Sequence, residues 1–349
     1  MDDGDILILN GHEVSELLAG RELELMQTVR NAYETHQAGQ SSLPHSTFLR
    51  FPDSDLNRII ALPAYLGGDF EVAGMKWISS FPDNLNLGLE RASAVMILNS
   101  ALTGRPETIL EGSLISAKRT AASAVLAAKT LSVGRGISTV GLIGTGFINF
   151  EVVRFLVASC AELRELRVFD LDADRATQFQ NKCYDTFDGV KVELVRDIKD
   201  AFRNTPLVSL ATTAGTPHID DLSYCAPGTT ILHVSLRDLS PEVILACDNI
   251  VDDVDHVCRA STSVHLAEQL VGNRDFIRCS LAEILLGHAG VRRDEESVAV
   301  FSPFGLGVLD LAVGALARDL AIANRMGTQL HSFIRETWIG EREAKRACA

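Results

Sequence analysis

The stretch Gly136-Ile-Ser-Thr-Val-Gly-Leu-Ile-Gly-Thr-Gly-Phe-Ile-Asn-Phe150 decides the fold. Ile137 to Ile143 is apolar and partly β-branched, glycines at 144 and 146 break the run, and Glu151-Val-Val-Arg-Phe-Leu-Val-Ala158 resumes with helical spacing. Strand, tight turn and helix in that order are the entry to a dinucleotide-binding unit. Gly144 allows the turn, and Gly146 lets the backbone approach a pyrophosphate held on the N–H groups and positive end of the helix. Asn149 stands where Gly or Ala is usual, which puts a larger side chain at the helix-to-strand contact. The next strand, Glu165-Leu-Arg-Val-Phe-Asp170, ends in an acid 24 residues after Gly146, near the spacing of roughly 20 expected of a carboxylate that accepts from the adenosine ribose hydroxyls. Asp170 therefore argues for NAD, since it repels a 2′-phosphate, while Arg175 nearby keeps NADP open. Gly144, Thr145, Gly146, Phe147, Ile148 and Asp170 are the expected cofactor-binding residues.

Outward from this unit, strands and helices keep alternating. Val190 to Val195, Leu207 to Ala211, Thr229 to Ser235, Asn249 to Asp252 and Val298 to Phe301 are strand candidates, most of them continuing a doubly wound sheet. Ahead of it, Ile6 to Leu9 is a strand, Asn10-Gly-His-Glu13 offers a capping box, and Leu25, Met26, Val29, Ala32 and Tyr33 recur on one helical face through about Thr35. From 44 to 111 the texture changes to strands at 45–51, 58–66, 72–79, 92–99 and 108–110, a mainly antiparallel region. Ser113 to Leu131 is an alanine-rich helix that delivers the chain to the glycine turn. Gly307 to Arg325 is an apolar helix that belongs in a core or a subunit interface.

The expected architecture is α/β: a Rossmann-type doubly wound dinucleotide-binding domain, residues 125–305, inserted in a second α+β domain for substrate and dimerisation, residues 1–124 and 306–349. A chain of 349 residues accommodates two domains, since single cores split beyond ~250–300 residues. A formal net charge of −14 makes nucleic acid and anionic membrane poor partners, so an anionic substrate must be gripped by a local cationic cluster. Seven cysteines without a Cys-x-x-Cys pair indicate neither a disulfide framework nor a zinc site and read as reduced thiols. Met-Asp-Asp-Gly-Asp has no basic start followed by an apolar run, no stretch reaches the ~18 uncharged residues of a span, and a cytoplasmic location is the expectation.

Arg50, Lys76 and Arg119 sit in apolar or small-residue surroundings, where a charge is expensive unless it is paired. Each either meets an acid or waits for an anionic ligand. After the fifth strand of the nucleotide domain comes Ile231-Leu-His-Val-Ser-Leu-Arg-Asp-Leu-Ser-Pro241. Ligands of open α/β sheets bind beyond the carboxyl ends of the strands, so His233, Ser235, Arg237 and Asp238 are expected near the nicotinamide. Asp238 is the proton-transfer candidate; the competing job of capping the helix at Pro241 suits Ser240 better. The other histidines, His218 among them, show no ligand spacing and read as solvated or core residues, and no metal site is expected.

Several separated stretches, Gly74-Met-Lys-Trp-Ile-Ser-Ser-Phe-Pro82, Arg91-Ala-Ser-Ala94, Ser116-Ala-Lys-Arg-Thr-Ala-Ala122, Gly141-Leu-Ile-Gly-Thr-Gly146 and Val300-Phe-Ser-Pro-Phe-Gly-Leu-Gly307, together resemble the ornithine cyclodeaminase/μ-crystallin family across nearly the whole chain. The resemblance implies a two-domain homodimer holding a nicotinamide cofactor. It carries the substrate-carboxylate and catalytic positions onto Arg50, Lys76 and Arg119, and the catalytic aspartate onto Asp238. Val234-Ser-Leu-Arg-Asp-Leu-Ser-Pro241 departs from the cyclodeaminase pattern. With Ile148-Asn149 it is similar to a branch that oxidises N-(2-amino-2-carboxyethyl)-L-glutamate with NAD and hydrolyses the imine to L-2,3-diaminopropionate and 2-oxoglutarate, for siderophore or antibiotic precursors. That amino-acid conjugate carries three carboxylates, which suits Arg50, Lys76, Arg119 and Arg237. An ornithine cyclodeaminase, a ketimine or alanine-type reductase, and a μ-crystallin-like binder of NAD(P)H and a small ligand are the competing readings.

Overall fold

A computed structural model of the chain describes residues 4–132 and 134–334. The described residues form two compact units: one from residues up to 19, 41–115 and 310 onward, the other from 20–40 and 116–309. The chain changes units inside two long helices, Ser113–Leu131 and Gly307–Asn324.

The first unit is built on strands β1 (Ile6–Leu9), β2 (Ser41–Ser42), β3 (Thr47–Phe51), β4 (Ser54–Leu66), β5 (Val72–Ser80), β6 (Ala94–Ser100) and β7 (Pro106–Glu111). β4, β5, β6 and β7 pair antiparallel in sequence order, as their alternation and intervening turn residues predict. Among the described residues of this unit, the one parallel pairing is β1 with β7. It is possible because the helix Gly11–Leu18 and everything up to β7 intervene; parallel neighbours need a long crossover.

Register sorts the side chains of this sheet. Arg50 lies opposite Arg58, Arg58 opposite Ser80, Leu62 opposite Lys76, and Lys76 opposite Met96. Paired positions and positions two apart share a face, so Arg50, Arg58, Ser80, Lys76 and Met96 all point one way. The helix Gly307–Asn324 covers the Lys76 end of that face. A Cβ on Gly74 would stand 3.0 Å from Leu311, and one on Gly314 would stand 3.0 Å from Met96. Of the two placements its apolar sequence allows, core or subunit interface, the first is observed: Ala312, Val313 and Ala317 are fully buried within the single chain. The opposite face carries Thr47, Ala61, Trp77 and Val95 in one row and leaves Trp77 and Val95 partly exposed.

The second unit contains β8 (Thr139–Ile143), β9 (Glu165–Phe169), β10 (Lys191–Leu194), β11 (Leu207–Leu210), β12 (Thr230–His233), β13 (Asp248–Val251), β14 (Ile277–Ser280) and β15 (Ala299–Ser302). All pairings are parallel, in the order β10-β9-β8-β11-β12-β15-β13-β14. Chain direction across the sheet reverses between β8 and β11, the switch point of a doubly wound fold, where a crevice opens beyond the strand ends. A last strand, β16 (Thr328–Leu330), returns to β1 of the first unit.

Several expectations need correction. The helix after the glycine turn starts at Phe147, directly after Gly146, four residues before the resumed apolar pattern at Glu151. The helical signal of residues 10–35 is two helices, Gly11–Leu18 and Glu22–Gln37, because Gly20 takes φ +69° between them. The second of these groups with the nucleotide-type unit, unlike the 1–124 assignment. Its face of Leu25, Met26, Val29, Ala32 and Tyr33 is buried there, against helices Phe147–Ser159 and Leu281–Leu285, and Tyr33 shares a 2.7 Å hydrogen bond with Ser123. The capping box of Asn10 and Glu13 forms as the sequence indicates. β14 and β16 went unmarked because each has three or four residues and too little alternation to count.

Candidate active site

Positions with chemistry collect along one edge of the second unit, past the carboxyl ends of its parallel strands. At β8, Gly144 has φ +89° and its backbone packs so closely on the end of β11 that a Cβ would fall 2.5 Å from the Ala211 carbonyl oxygen. A side chain there would strain the backbone and separate the two strands at the switch point. Gly146 is different: a Cβ would meet nothing within 4 Å, and no side chain caps the helix that starts at Phe147. Open space over uncapped helical N–H groups suits a pyrophosphate.

Asp170, at the end of β9, accepts hydrogen bonds on Oδ2 from the Thr145 backbone N–H (2.8 Å) and hydroxyl (2.6 Å). It therefore holds the glycine turn against the second strand, which is the placement a ribose-binding acid requires. Phe147 is largely exposed and Ile148 half-buried over the same turn. Asn149 is fully buried and replaces close packing by hydrogen bonds. Its Nδ2 donates to Ile143 O (3.0 Å) and Gly144 O (2.7 Å), and its Oδ1 accepts from Ser209 Oγ (2.8 Å). The departure from Gly or Ala thus ties β8, β11 and the turn together.

Two strands from the glycine turn, roughly 10 Å by sheet spacing, lies Asp238. It is fully buried and surrounded by donors. The Thr212 hydroxyl donates to Oδ1, the Ser235 hydroxyl lies against Oδ2, and His218 Nε2 stands 3.1 Å from Oδ1. His233 Nε2 accepts the Asp238 backbone N–H at 3.1 Å, and its Nδ1 is 3.2 Å from Ser302 Oγ. Burial alone pushes the Asp238 carboxyl up, but His233 and the Ser235 and Thr212 hydroxyls more than offset it and hold the group below the ordinary carboxylate range. The backbone N–H already occupies the His233 lone pair, so the two hydroxyls are the firmer cause. Asp238 is an anion at neutral pH.

Thr212 and His218 both contact Asp238 and are members of the candidate site that sequence reasoning missed. The signal was available: both lie in Ala211-Thr-Thr-Ala-Gly-Thr-Pro-His218, which follows the buried strand β11 onto the same edge. The loop is fastened to the Asp238 carbonyl, which accepts from the N–H groups of His218 and Ile219, both at 2.9 Å. Ser240 caps the helix Pro241–Ala246, leaving Asp238 free of that task as expected.

Leu236 takes φ +68°, and the Arg237 guanidinium reaches the Ala260 carbonyl at 2.7 Å. Arg119 is buried and follows the turn after β15. A Cβ on Gly305 would fall 2.8 Å from Arg119 Nη1, so only glycine leaves room for the guanidinium. Asp252 pins that turn by accepting the N–H groups of Phe304 (2.9 Å) and Gly305 (2.7 Å).

In the first unit Lys76 meets an acid. Its Nζ is 2.8 Å from Asp310 Oδ2, and both side chains are at most 2% exposed. Arg50 is exposed, with its guanidinium 5.8 Å from the Phe48 ring centre.

A glycine turn open to phosphate, an acid fastened beside it and a buried anionic carboxylate on one edge of a doubly wound sheet define a dinucleotide-binding α/β enzyme. The model that describes the ornithine cyclodeaminase/mu-crystallin family matches residues 5–324, and the chain belongs to that family. Among its relatives, N-((2S)-2-amino-2-carboxyethyl)-L-glutamate dehydrogenase of Staphylococcus aureus is 25% identical over 94% of this chain and 99% of its own. Alanine dehydrogenase of Archaeoglobus fulgidus is 27% identical, again over 94% of this chain and 99% of its own. The Δ1-pyrroline-2-carboxylate reductase of Thermococcus litoralis, solved with NADH and L-proline, is 25% identical and superposes with a TM-score of 0.85 over 93% of this chain and 99% of that one.

Proposed function

We propose that this protein is an NAD-dependent dehydrogenase that oxidises N-(2-amino-2-carboxyethyl)-L-glutamate and hydrolyses the product to L-2,3-diaminopropionate and 2-oxoglutarate, supplying a siderophore or antibiotic precursor. The coarser class, an NAD-dependent enzyme acting on CH–NH bonds of amino-acid-like substrates, draws on the two amino-acid-type dehydrogenases and the reductase solved with NADH named above. The finer assignment draws on the S. aureus relative. The single observation that carries the reaction class is the buried carboxylate of Asp238, held by the Thr212 and Ser235 hydroxyls, the counter-charge that a C=N⁺ centre requires.

When bound, NAD would supply the hydride acceptor, and Gly144, Thr145, Gly146, Phe147, Ile148 and Asp170 would hold it. The rest is work for side chains. As hydride leaves the glutamyl Cα, positive charge grows on the C–N bond and Asp238 stabilises it. A water then adds to the carbon of the C=N bond. Its proton passes to Asp238 and out through His218, whose side chain is 40% exposed and 3.1 Å away. The C–N bond breaks as the amine nitrogen takes up a proton and the new hydroxyl gives its own to Asp238, the bonding pair leaving on nitrogen, which yields diaminopropionate and 2-oxoglutarate. Arg50, Arg119 and Lys76 hold carboxylates, with Asp310 fixing the Lys76 ammonium in place. Ser235, placed by the sequence at the cofactor, acts by holding Asp238.

The protein is expected to form a homodimer. The exposed Trp77 and Val95 on the uncovered face of the first unit's sheet suit a second copy of the chain. A substrate panel tests the reaction. The conjugate with NAD should accumulate NADH, ornithine should yield no proline, and alanine should be oxidised at least a hundredfold less efficiently. Proline from ornithine without net NADH would make the protein a cyclodeaminase, and cofactor binding without turnover of any conjugate would make it a binding protein.

A further inference from the structure

We infer that Arg58 and Arg91 join Arg50 to form a second carboxylate subsite on the first unit, which selects substrates carrying a distal carboxylate. The inference rests on the reading above and deepens it by naming what recognises the far arm of the conjugate.

Geometry carries it. Arg50 and Arg58 are directly opposed on β3 and β4, where two like charges are unfavourable unless an anion comes between them. Arg58 is in turn opposed to Ser80 on β5, and Arg58 Nε and Ser80 Oγ are both buried without a hydrogen-bond partner among the described residues. A buried donor left unpaired is costly and points to a missing acceptor. Arg91 stands at the same end of the sheet, its carbonyl accepting the Phe81 N–H at 2.8 Å. Among the described residues no carboxylate pairs with Arg50, Arg58 or Arg91. Burial and then the neighbouring guanidinium lower the affinity of Arg58 and Arg91 for their protons: Arg50 acts on Arg58, and Arg58 on Arg91.

The contrast with Lys76 is informative, because Lys76 shares this face and is neutralised by Asp310. Arg58 precedes by four residues Leu62, the partner of Lys76, roughly 13 Å along the strand. The arginine end is the uncompensated place on this face, and a substrate whose single carboxylate is held at Lys76 leaves it empty. A substrate with carboxylates at separated positions fills both, and three guanidiniums with an orphaned hydroxyl can bind the distal one in bidentate fashion.

The test is binding of 2-oxoglutarate and of pyruvate to the NADH-loaded protein, measured by calorimetry for the parent, Arg58→Gln, Arg91→Gln and Arg91→Lys. The dicarboxylate should bind more tightly than the monocarboxylate. Each glutamine variant should weaken 2-oxoglutarate by about 10- to 100-fold and pyruvate by less than threefold, with Arg91→Lys between. Both glutamine variants should melt no lower than the parent, since each removes an uncompensated charge. Equal losses for the two acids, no loss, or no preference in the parent overturns the subsite. A clearly lower melting temperature assigns the guanidinium to the fold and also overturns it. Turnover of the conjugate with unaltered 2-oxoglutarate binding in the variants would sink this inference and leave the proposed reaction standing. A dicarboxylate preference lost in the variants, without any turnover, would do the reverse.

Discussion

The two units treat charge in opposite ways. On the carboxyl edge of the parallel sheet, Asp238 is surrounded by hydroxyls and histidines that belong to the same unit and fix it as an anion. At the end of the antiparallel sheet, Arg50, Arg58 and Arg91 face one another with no carboxylate among the described residues. A charge that the fold itself compensates is ready before any ligand arrives and keeps one protonation state. A charge left uncompensated waits for a ligand of opposite sign and selects for it. Lys76 with Asp310 is a third arrangement, compensated and buried, and it lies on the same sheet face as the waiting arginines.

Removing the compensated anion should have the largest effect. Asp238→Asn keeps the shape and loses the charge, so kcat should fall by about 10³-fold, about 4 kcal/mol, with NAD affinity changed by less than threefold. An Asp238→Asn enzyme within tenfold of the parent would remove the carboxylate from its role. Next comes the buried pair. Lys76→Met removes the ammonium that Asp310 meets at 2.8 Å and should cost about 3 kcal/mol in urea unfolding, most of it recovered by adding Asp310→Leu. If the double variant is no more stable than the single one, the pair is not the reason for the loss. Smaller again, Asn149→Ala takes its partner from the Gly144 carbonyl and the Ser209 hydroxyl, while the Ile143 carbonyl keeps the Ala211 N–H, and should cost about 1–3 kcal/mol, with weaker NAD binding because the glycine turn loosens.

The smallest effect is on pH dependence. Asp238 holds its proton less firmly in the folded protein than in the unfolded chain, where its pKa is about 3.9. On acidification the unfolded state takes up that proton first. The contribution is therefore fully present above about pH 4 and is lost as pH falls further, through the folded value. Asp238→Asn should have a shallower decline of stability below pH 4 than the parent, measured as unfolding free energy against pH. Identical slopes would mean that the donors around Asp238 do not stabilise its charge.

Much of this was legible in the sequence, for identifiable reasons. The glycine turn, Asp170 and the alternation of strands follow from local rules, because turn chemistry and period are properties of neighbouring residues. Asp238 was legible because its strand reads as buried and its offset places it past the strand's end. Asn149 was visible as an oddity, but its purpose needs Ser209, sixty residues away, to be seen. His218 escaped because a single histidine in a loop has no periodic context; only the pairing of β11 with β12 puts it beside Asp238. Arg50 was legible by itself, but its grouping with Arg58 and Arg91 was not, for the same reason. Arg50 and Arg58 are opposed only through the β3–β4 register, and Arg91 joins that end of the sheet through the bond of its carbonyl to the Phe81 N–H. Arg237 shows the opposite case, a residue adjacent in sequence to the key aspartate that one left-handed residue turns toward Ala260.

The most direct measurement follows the conjugate itself. N-(2-amino-2-carboxyethyl)-L-glutamate is incubated with the protein and NAD, reduced cofactor is read by absorbance, and 2-oxoglutarate and 2,3-diaminopropionate are quantified by mass spectrometry. One NADH should appear for each molecule of each product, and Asp238→Asn should abolish all three together. Absence of NADH, or NADH formed without cleavage of the conjugate, would contradict the account.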